Sequence, residues 1–335
     1  MMRPPQGAPT MPNVSTAVPV QIRNLGKTYP GGIEAVKEVS LQVEAGETVA
    51  LLGPNGAGKS TVLKVLASLS VPTDGEVMIC GCDVQRERKR AIRQIGFVGQ
   101  STSYDGYATP QSHLRLYAQL YGLDGGATRR IDDLLKRFGL EDVRRRRVAT
   151  LSGGTKRRLD ILTAMIHDPV VLILDEPTTG LDPTSRRDVW KLIDELKSAL
   201  GIAVLFTTHY LDEADQHATR VVVIDEGTII AQGPPEVLKA QTGGDTLAVQ
   251  LDPDADGEAA RRVVDGVTDA IRTSLTPGML HVVVRDARTA IVPVLNALTS
   301  AGLLFNSVEV RRPSLSEVYF SLTGKAFSAD EPSTT

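Results

Sequence analysis

Continuous apolar strands alternating with amphipathic helices predict an α/β domain on a mostly parallel sheet. A later run of short strands and two helices in the order βαββαβ predicts a second domain of ferredoxin-like α+β type. Three observations carry this reading. Thr48–Leu52, Val170–Leu174 and Ala203–Phe206 are apolar throughout, the pattern of strands buried on both faces. Between the last two, Ser185–Leu200 places Val189, Leu192, Ile193 and Leu196 on one helical face. Near residue 240 the texture changes, with Gln241-Thr-Gly-Gly-Asp245 as a linker.

The elements run in order along the chain. Residues 1–17 are rich in Pro, Thr and Ala and read as a disordered tail. Val18, Val20 and Ile22, then Val39, Leu41 and Val43, alternate with polar residues, which suits antiparallel strands with one wet face. Residues 84–95, 109–121, Arg129–Phe138 and Ser152–Ile166 read as helices. Val221–Ile224 and Thr228–Ala231 flank Glu226-Gly227 as a hairpin. The second domain reads as strands 246–251, 269–274, 279–285 and 304–311 and helices 257–266 and 287–302, with a turn at Pro277-Gly278. The boundaries are therefore 1–17, 18–240, 241–326 and a polar tail at 327–335.

Composition limits the function classes. In 335 residues, 41% are hydrophobic and 23% charged, with a formal net charge of -3, so a core of ordinary size is expected and global disorder is not. The charge balance disfavours a general polyanion binder, and 4% aromatics give little support to a base-stacking surface. Cys80 and Cys82 are too close for an ordinary disulfide and too few for a structural zinc site, which fits a reducing compartment. No stretch approaches the length of a membrane-spanning helix, and no apolar signal core opens the chain. Arg86–Arg90 and Arg144–Arg147 read as solvated surface.

The sharpest local pattern is Gly53-Pro54-Asn55-Gly56-Ala57-Gly58-Lys59-Ser60, followed by Thr61. It has the G-x-x-x-x-G-K-[ST] spacing of a P-loop, between a predicted strand and a predicted helix. Glycines let the backbone amides point inward at phosphates, and the helix dipole adds positive potential. Lys59 is placed for the β- and γ-phosphates and the Ser60 hydroxyl for Mg²⁺. Val170–Leu174 then delivers Asp175 and Glu176 to the carboxyl end of a strand, the edge where open α/β sheets carry their sites. Asp175 suits a Mg²⁺ ligand through water, and Glu176 a general base. Leu151-Ser152-Gly153-Gly154-Thr155 precedes a helix, with Ser152 as its cap and glycine amides at its start, a second anion site.

Together these motifs resemble the ATP-binding-cassette (ABC) ATPases over about residues 18–240. Leu151–Thr155 is similar to their signature motif, and the two phosphate elements to their Walker A and Walker B. The resemblance implies a P-loop NTPase cassette: a mostly parallel sheet with an antiparallel β-subdomain and a helical subdomain. It further implies that Tyr29 stacks on adenine, that Gln100 touches Mg²⁺ and responds to a membrane partner, that Asp182 belongs to the D-loop, and that His209 senses the γ-phosphate. Thr155 departs from the usual signature glutamine, at a position that is not the main phosphate contact.

Within the family, Asp175–Pro183, Thr207–Ala214, Leu120–Leu123, Ser152–Asp160 and Arg312–Tyr319 resemble the daunorubicin/doxorubicin-resistance type of bacterial ATP-binding subunit. That resemblance implies a homodimer closing head to tail around two ATP and driving a separate transmembrane permease from the cytoplasmic face of the membrane. Ser101–Tyr107 is a candidate permease surface, and the C-terminal domain a dimer-supporting or regulatory one. No nucleic acid is expected. The alternatives are a soluble ABC ATPase acting on ribosomes or DNA, or an exporter of polysaccharide or lipid. Against the first, one P-loop is present, and the stretch from Lys59 to Asp175 lacks a coiled-coil insertion and zinc cysteines.

Overall fold

The computed structural model describes residues 18–101, 104–123, 126–241, 243–266, 270–311 and 313–323. The two predicted tails lie outside these residues, as do Thr242 of the linker, residues 102–103 of the candidate permease surface, residue 269 of the second predicted C-terminal strand, and Arg312.

The chain opens with β1 (Val20–Tyr29) and β2 (Ile33–Val43), an antiparallel pair in which Val20 faces Val43 and Ile22 faces Leu41. After β3 (Thr48–Leu52) and α1 (Lys59–Leu66), β4 (Asp74–Ile79) and β5 (Cys82–Asp83) complete an antiparallel sheet in the order β2-β1-β4-β5. Its apolar face buries Ile22, Leu41, Val77 and Ile79.

Next come α2 (Arg88–Ile92) and β6 (Ile95–Val98). The helix predicted over 84–95 is shortened at both ends. Asp83 Oδ1 accepts the backbone N–H groups of Gln85 (2.7 Å) and Arg86 (2.8 Å), a local turn that competes with helix. At the other end Ile95 pairs with Val171 in a parallel ladder. α3 (Pro110–Leu120) starts from a capping box between Thr109 and Ser112, and α4 (Ala127–Arg137) buries Ile131, Leu134 and Leu135. Arg144 is half-buried and bound to Asp132 and Glu141, so one residue of that charge run is structural rather than solvated.

α5 (Gly153–Ala164), β7 (Val171–Asp175), α6 (Pro183–Leu200) and β8 (Ala203–Thr208) form the apolar centre; every residue of β3, β7 and β8 is buried. β6, β7 and β8 are parallel. With β9 (Arg220–Asp225) and β10 (Thr228–Gly233) the sheet reads β10-β9-β3-β8-β7-β6.

Spatially the described chain forms two compact units: the first runs to Leu51 and then takes Asn55–His209 and Ile224–Ile229, and the second takes Leu52–Pro54, Tyr210–Val223 and the chain from Ile230 onward. The second holds α7 (Leu211–His217), α8 (Pro235–Ala240), β11 (Asp245–Leu251), α9 (Gly257–Asp265), β12 (Ala270–Thr276), β13 (Met279–Val284), α10 (Ala287–Ser300), β14 (Phe305–Arg311) and α11 (Leu315–Thr323). Its four-stranded sheet is antiparallel, in the order β12-β13-β11-β14. Leu247, Val249, Leu280 and Val282 pack with Ala260 and Val264 of α9 and Val294 and Leu298 of α10, so the two helices cover one face. The predicted order of strands and helices is realised here. β4, β5, β6, α7, α8 and α11 fall outside the predicted elements; α7 and α8 span 7 and 6 residues, too few to show a helical period. Among the described residues no helix is long and apolar enough to cross a membrane.

Candidate functional site

The loop after β3 turns into α1 at Gly58, whose φ of 101° is left-handed and whose position carries no side-chain cap. A Cβ there would lie 2.3 Å from the Ala35 carbonyl oxygen, so only glycine fits. Gly56, also left-handed at 82°, shapes the same loop. Ala57 is buried and Asn55 and Gly56 are exposed. Lys59 opens the helix and is only 5% exposed. Burial pushes its ammonium down from the ordinary value, and the carboxylates of Glu176 and Asp175 oppose that shift.

Asp175, at the end of β7, is the centre of the polar cluster. Its Oδ1 accepts from Ser60 Oγ at 3.0 Å and from Thr207 Oγ1 at 2.6 Å. Thr207 stands there because β8 runs beside β7 with Thr207 directly opposite Asp175. The same hydroxyl accepts the Glu176 N–H at 2.9 Å. Glu176 has a φ of 47°, a left-handed backbone that is uncommon for any residue but glycine. Its Oε2 lies 3.4 Å from His209 Nδ1 and accepts from Thr179 Oγ1 at 3.1 Å. Lys59, Ser60, Asp175, Glu176 and His209, separate in sequence, are thus gathered at the carboxyl end of the parallel strands.

The other predicted residues are arranged differently. Tyr29, at the end of β1, reaches Thr61 Oγ1 with its hydroxyl at 3.4 Å and carries the Lys27 ammonium 5.0 Å from its ring centroid. Gln100 is exposed in a bend beyond β6, two residues after Val98, whose partner is Leu174. Ser152 caps α5 by accepting the Thr155 N–H at 3.3 Å, and the Thr155 hydroxyl lies 2.8 Å from Ser152 Oγ. Asp182 caps α6 and accepts from Ser185 Oγ at 2.6 Å, a bond that holds its carboxyl below the usual range. The starts of α5 and α6 touch: a Cβ on Gly154 would lie 2.5 Å from Ser185 Oγ. Gly153 is exposed one residue earlier, and Gly53 and Pro54 open the loop that follows β3.

Three residues of the site were not singled out from sequence: Thr207, Thr179 and Arg157. Thr207 becomes visible only once β7 and β8 are known to be neighbours in register. Arg157 did leave a signal. Gly154, Arg157, Ile161 and Ala164 recur at helical spacing, and all are buried, so a guanidinium sits on an otherwise apolar stripe.

Comparison with known proteins bears on the same region. The family described as ABC transporter matches residues 36–179. A daunorubicin resistance ATP-binding protein of Streptomyces coeruleorubidus is 40% identical over 295 residues, covering 88% of this chain and 92% of the relative. A doxorubicin resistance ATP-binding protein of Mycobacterium tuberculosis is 37% identical over 316 residues, covering 91% and 93%. Among solved structures, a dimeric ATP-binding cassette in a post-hydrolysis state, bound to ADP and Pi, superposes with a TM-score of 0.58 at 29% identity, covering 64% of this chain and 98% of that one.

Proposed function

The chain belongs to the ABC transporter family as an ATP-binding, ATP-hydrolysing subunit, and on that basis we propose that it powers export of a drug or antibiotic through a separate membrane permease. One observation carries the catalytic part: Ser60, next to Lys59, is hydrogen-bonded to Asp175, and Glu176 beside it faces His209. In this reading Gly53–Gly58 and the amides of Lys59, Ser60 and Thr61 cradle the phosphates, and Lys59 neutralises them. Tyr29 stacks on adenine.

The donor set suits Mg²⁺. Ser60 Oγ and Asp175 Oδ1 are hard oxygen donors 3.0 Å apart that would hold the ion, Asp175 through water, and Gln100, two residues beyond β6, would add an amide oxygen. Bound there, the ion would supply charge for the β- and γ-phosphate oxygens. Glu176 accepts the proton of the attacking water as its oxygen bonds to the γ-phosphorus and the bond to the β-phosphate oxygen breaks. His209, 3.4 Å from Glu176, orients that carboxylate and meets the γ-phosphate.

The solved relative is a dimer, which supports a head-to-tail pair in which Ser152, Gly153, Gly154 and Asp182 of one copy face the nucleotide of the other. Ser152 and Asp182 bond within their own helix starts, leaving the Gly153 amide at an exposed helix start. The permease would hold the pair at the cytoplasmic face of the membrane. We read residues 18–240 as the cassette and 241–326 as an accessory domain. The strand order β12-β13-β11-β14 with two covering helices supports a ferredoxin-like fold for it, in a dimer-supporting or regulatory role.

Purification of the tagged full chain from detergent-solubilised membranes tests the export reading. A co-purifying multi-helix membrane protein is expected; ribosomes or nucleic acid in its place would overturn it. For the chemistry, Glu176→Gln is expected to bind ATP, stop steady-state turnover and accumulate a closed dimer. Normal turnover would remove Glu176 as the base.

A further inference from the structure

We propose that Arg157 is a positioning residue for hydrolysis: its guanidinium fixes the backbone turn that presents Glu176 and ties that turn to the segment leading into Gln100. The proposal rests on the reading of Glu176 as the general base.

Arg157 lies on α5 and is 7% exposed. Its Nε donates to the Pro177 carbonyl at 2.6 Å, and its Nη2 to the carbonyls of Asp175 (3.1 Å) and Glu176 (3.0 Å). Its Nη1 donates to the Gly99 carbonyl at 2.7 Å. All four bonds end on backbone oxygens. The nearest side-chain carboxylate, Asp160, stands at 3.9 Å, outside hydrogen-bond range. A buried arginine whose purpose was charge pairing would be expected to bind a carboxylate first. This one instead uses its planar fork to gather three successive carbonyls of one turn and one carbonyl of another.

The turn it gathers is the one that needs support. Glu176 holds a left-handed backbone at φ 47°, and such a conformation persists in a non-glycine residue only where the surroundings impose it. Thr207 secures the N–H side of Glu176, and Arg157 secures the carbonyls before, at and after it. The fourth bond, to Gly99, falls one residue before Gln100. A single rigid group on the helix that Ser152 caps therefore touches the approaches to both Glu176 and Gln100. Movement of either backbone segment relative to α5 must break or re-form these bonds. Burial lowers the guanidinium to about 10, opposed by Asp175 and Glu176, so it stays charged at neutral pH.

Lysine has a single compact ammonium and cannot span four carbonyls. The test uses the full chain with R157K, R157Q and R157A, and E176Q as a control. Thermal unfolding, ATP affinity, kcat and KM are measured for each. In R157K and R157Q, kcat is expected to fall by about tenfold or more while ATP affinity stays within about threefold. Millimolar ethylguanidinium should raise kcat in R157A, and ethylammonium should not. Wild-type kcat in R157K, a kcat loss matched by loss of ATP affinity, or failure of all three variants to fold would overturn the proposal. If E176Q turns over normally, the base assignment falls whatever Arg157 does. If E176Q is inactive and R157K is normal, only the role of Arg157 falls.

Discussion

Thr207→Val separates the polar logic of the site from simple burial. The residue is fully buried, and valine keeps its β-branch and nearly its volume. What is lost is the hydroxyl, which donates to Asp175 Oδ1 at 2.6 Å and accepts the Glu176 N–H at 2.9 Å. A hydrogen bond to a carboxylate contributes about 1.5–3 kcal/mol, and an N–H left without its acceptor costs about 1–3 kcal/mol. The added methyl returns about 0.8 kcal/mol of burial. The net destabilisation is therefore about 2–5 kcal/mol. Thr207→Ser keeps both hydrogen bonds and loses one methyl group, about 1 kcal/mol. Urea unfolding can be followed through Trp190, the one tryptophan of the chain, which is buried with its ring 4.7 Å from that of Phe206. With a urea slope of roughly 3 kcal/mol/M, the valine variant should unfold about 0.6–1.7 M earlier than wild type and before the serine variant. Its turnover should fall as well, because the Glu176 backbone loses one support. A valine variant at least as stable as the serine one would refute the reasoning, since burial alone would then rank the two.

Lys59→Ala should weaken ATP binding by about tenfold or more, measured by titration calorimetry, and unchanged affinity would contradict its role at the phosphates. Gly154→Ala places a Cβ 2.5 Å from Ser185 Oγ and 2.6 Å from Ser185 Cβ, so it should destabilise by about 1–3 kcal/mol. Adding Ser185→Gly should recover part of that loss; strictly additive effects in denaturant melts would show that the two helix starts do not press on each other. Burial pushes His167 down to about 4, while its Nε2–H donates to the Ile95 carbonyl at 3.0 Å and its ring stacks 3.8 Å from Tyr121. The neutral ring thus contributes stability that is complete above its unfolded value of 6.5 and is lost as pH falls from there through about 4. His167→Gln should lose stability less steeply over that window, and equal slopes in the two proteins would exclude His167 as the group responsible.

Much of the site was legible in the chain because its parts are local. The Gly53–Ser60 loop, the β7 strand ending in Asp175 and Glu176, and the Ser152 cap each occupy a few consecutive residues, and each has a physical reason for its residue types. The C-terminal elements were legible for a related reason: apolar alternation and the helical stripe through Val294 and Leu298 survive burial unchanged. The helix predicted over 84–95 failed at one end to the long-range pairing of Ile95 with Val171 and at the other to a small local interaction. The single Asp83 carboxylate withholds two amides from the helix drawn over 84–95.

The chain by itself determined which residues have the spacing of a phosphate-binding loop, which carboxylates end a strand, and the βαββαβ order of the C-terminal elements. Periodicity, glycine freedom and capping act over a few residues, so they can be read in line. Tertiary structure alone decided that β3 lies between β9 and β8, that Thr207 stands opposite Asp175, and that Arg157 gathers the carbonyls of Asp175, Glu176, Pro177 and Gly99. These outcomes depend on which strands become neighbours and in what register. That choice is made by packing the whole apolar core, in which residues far apart in sequence are the ones that touch.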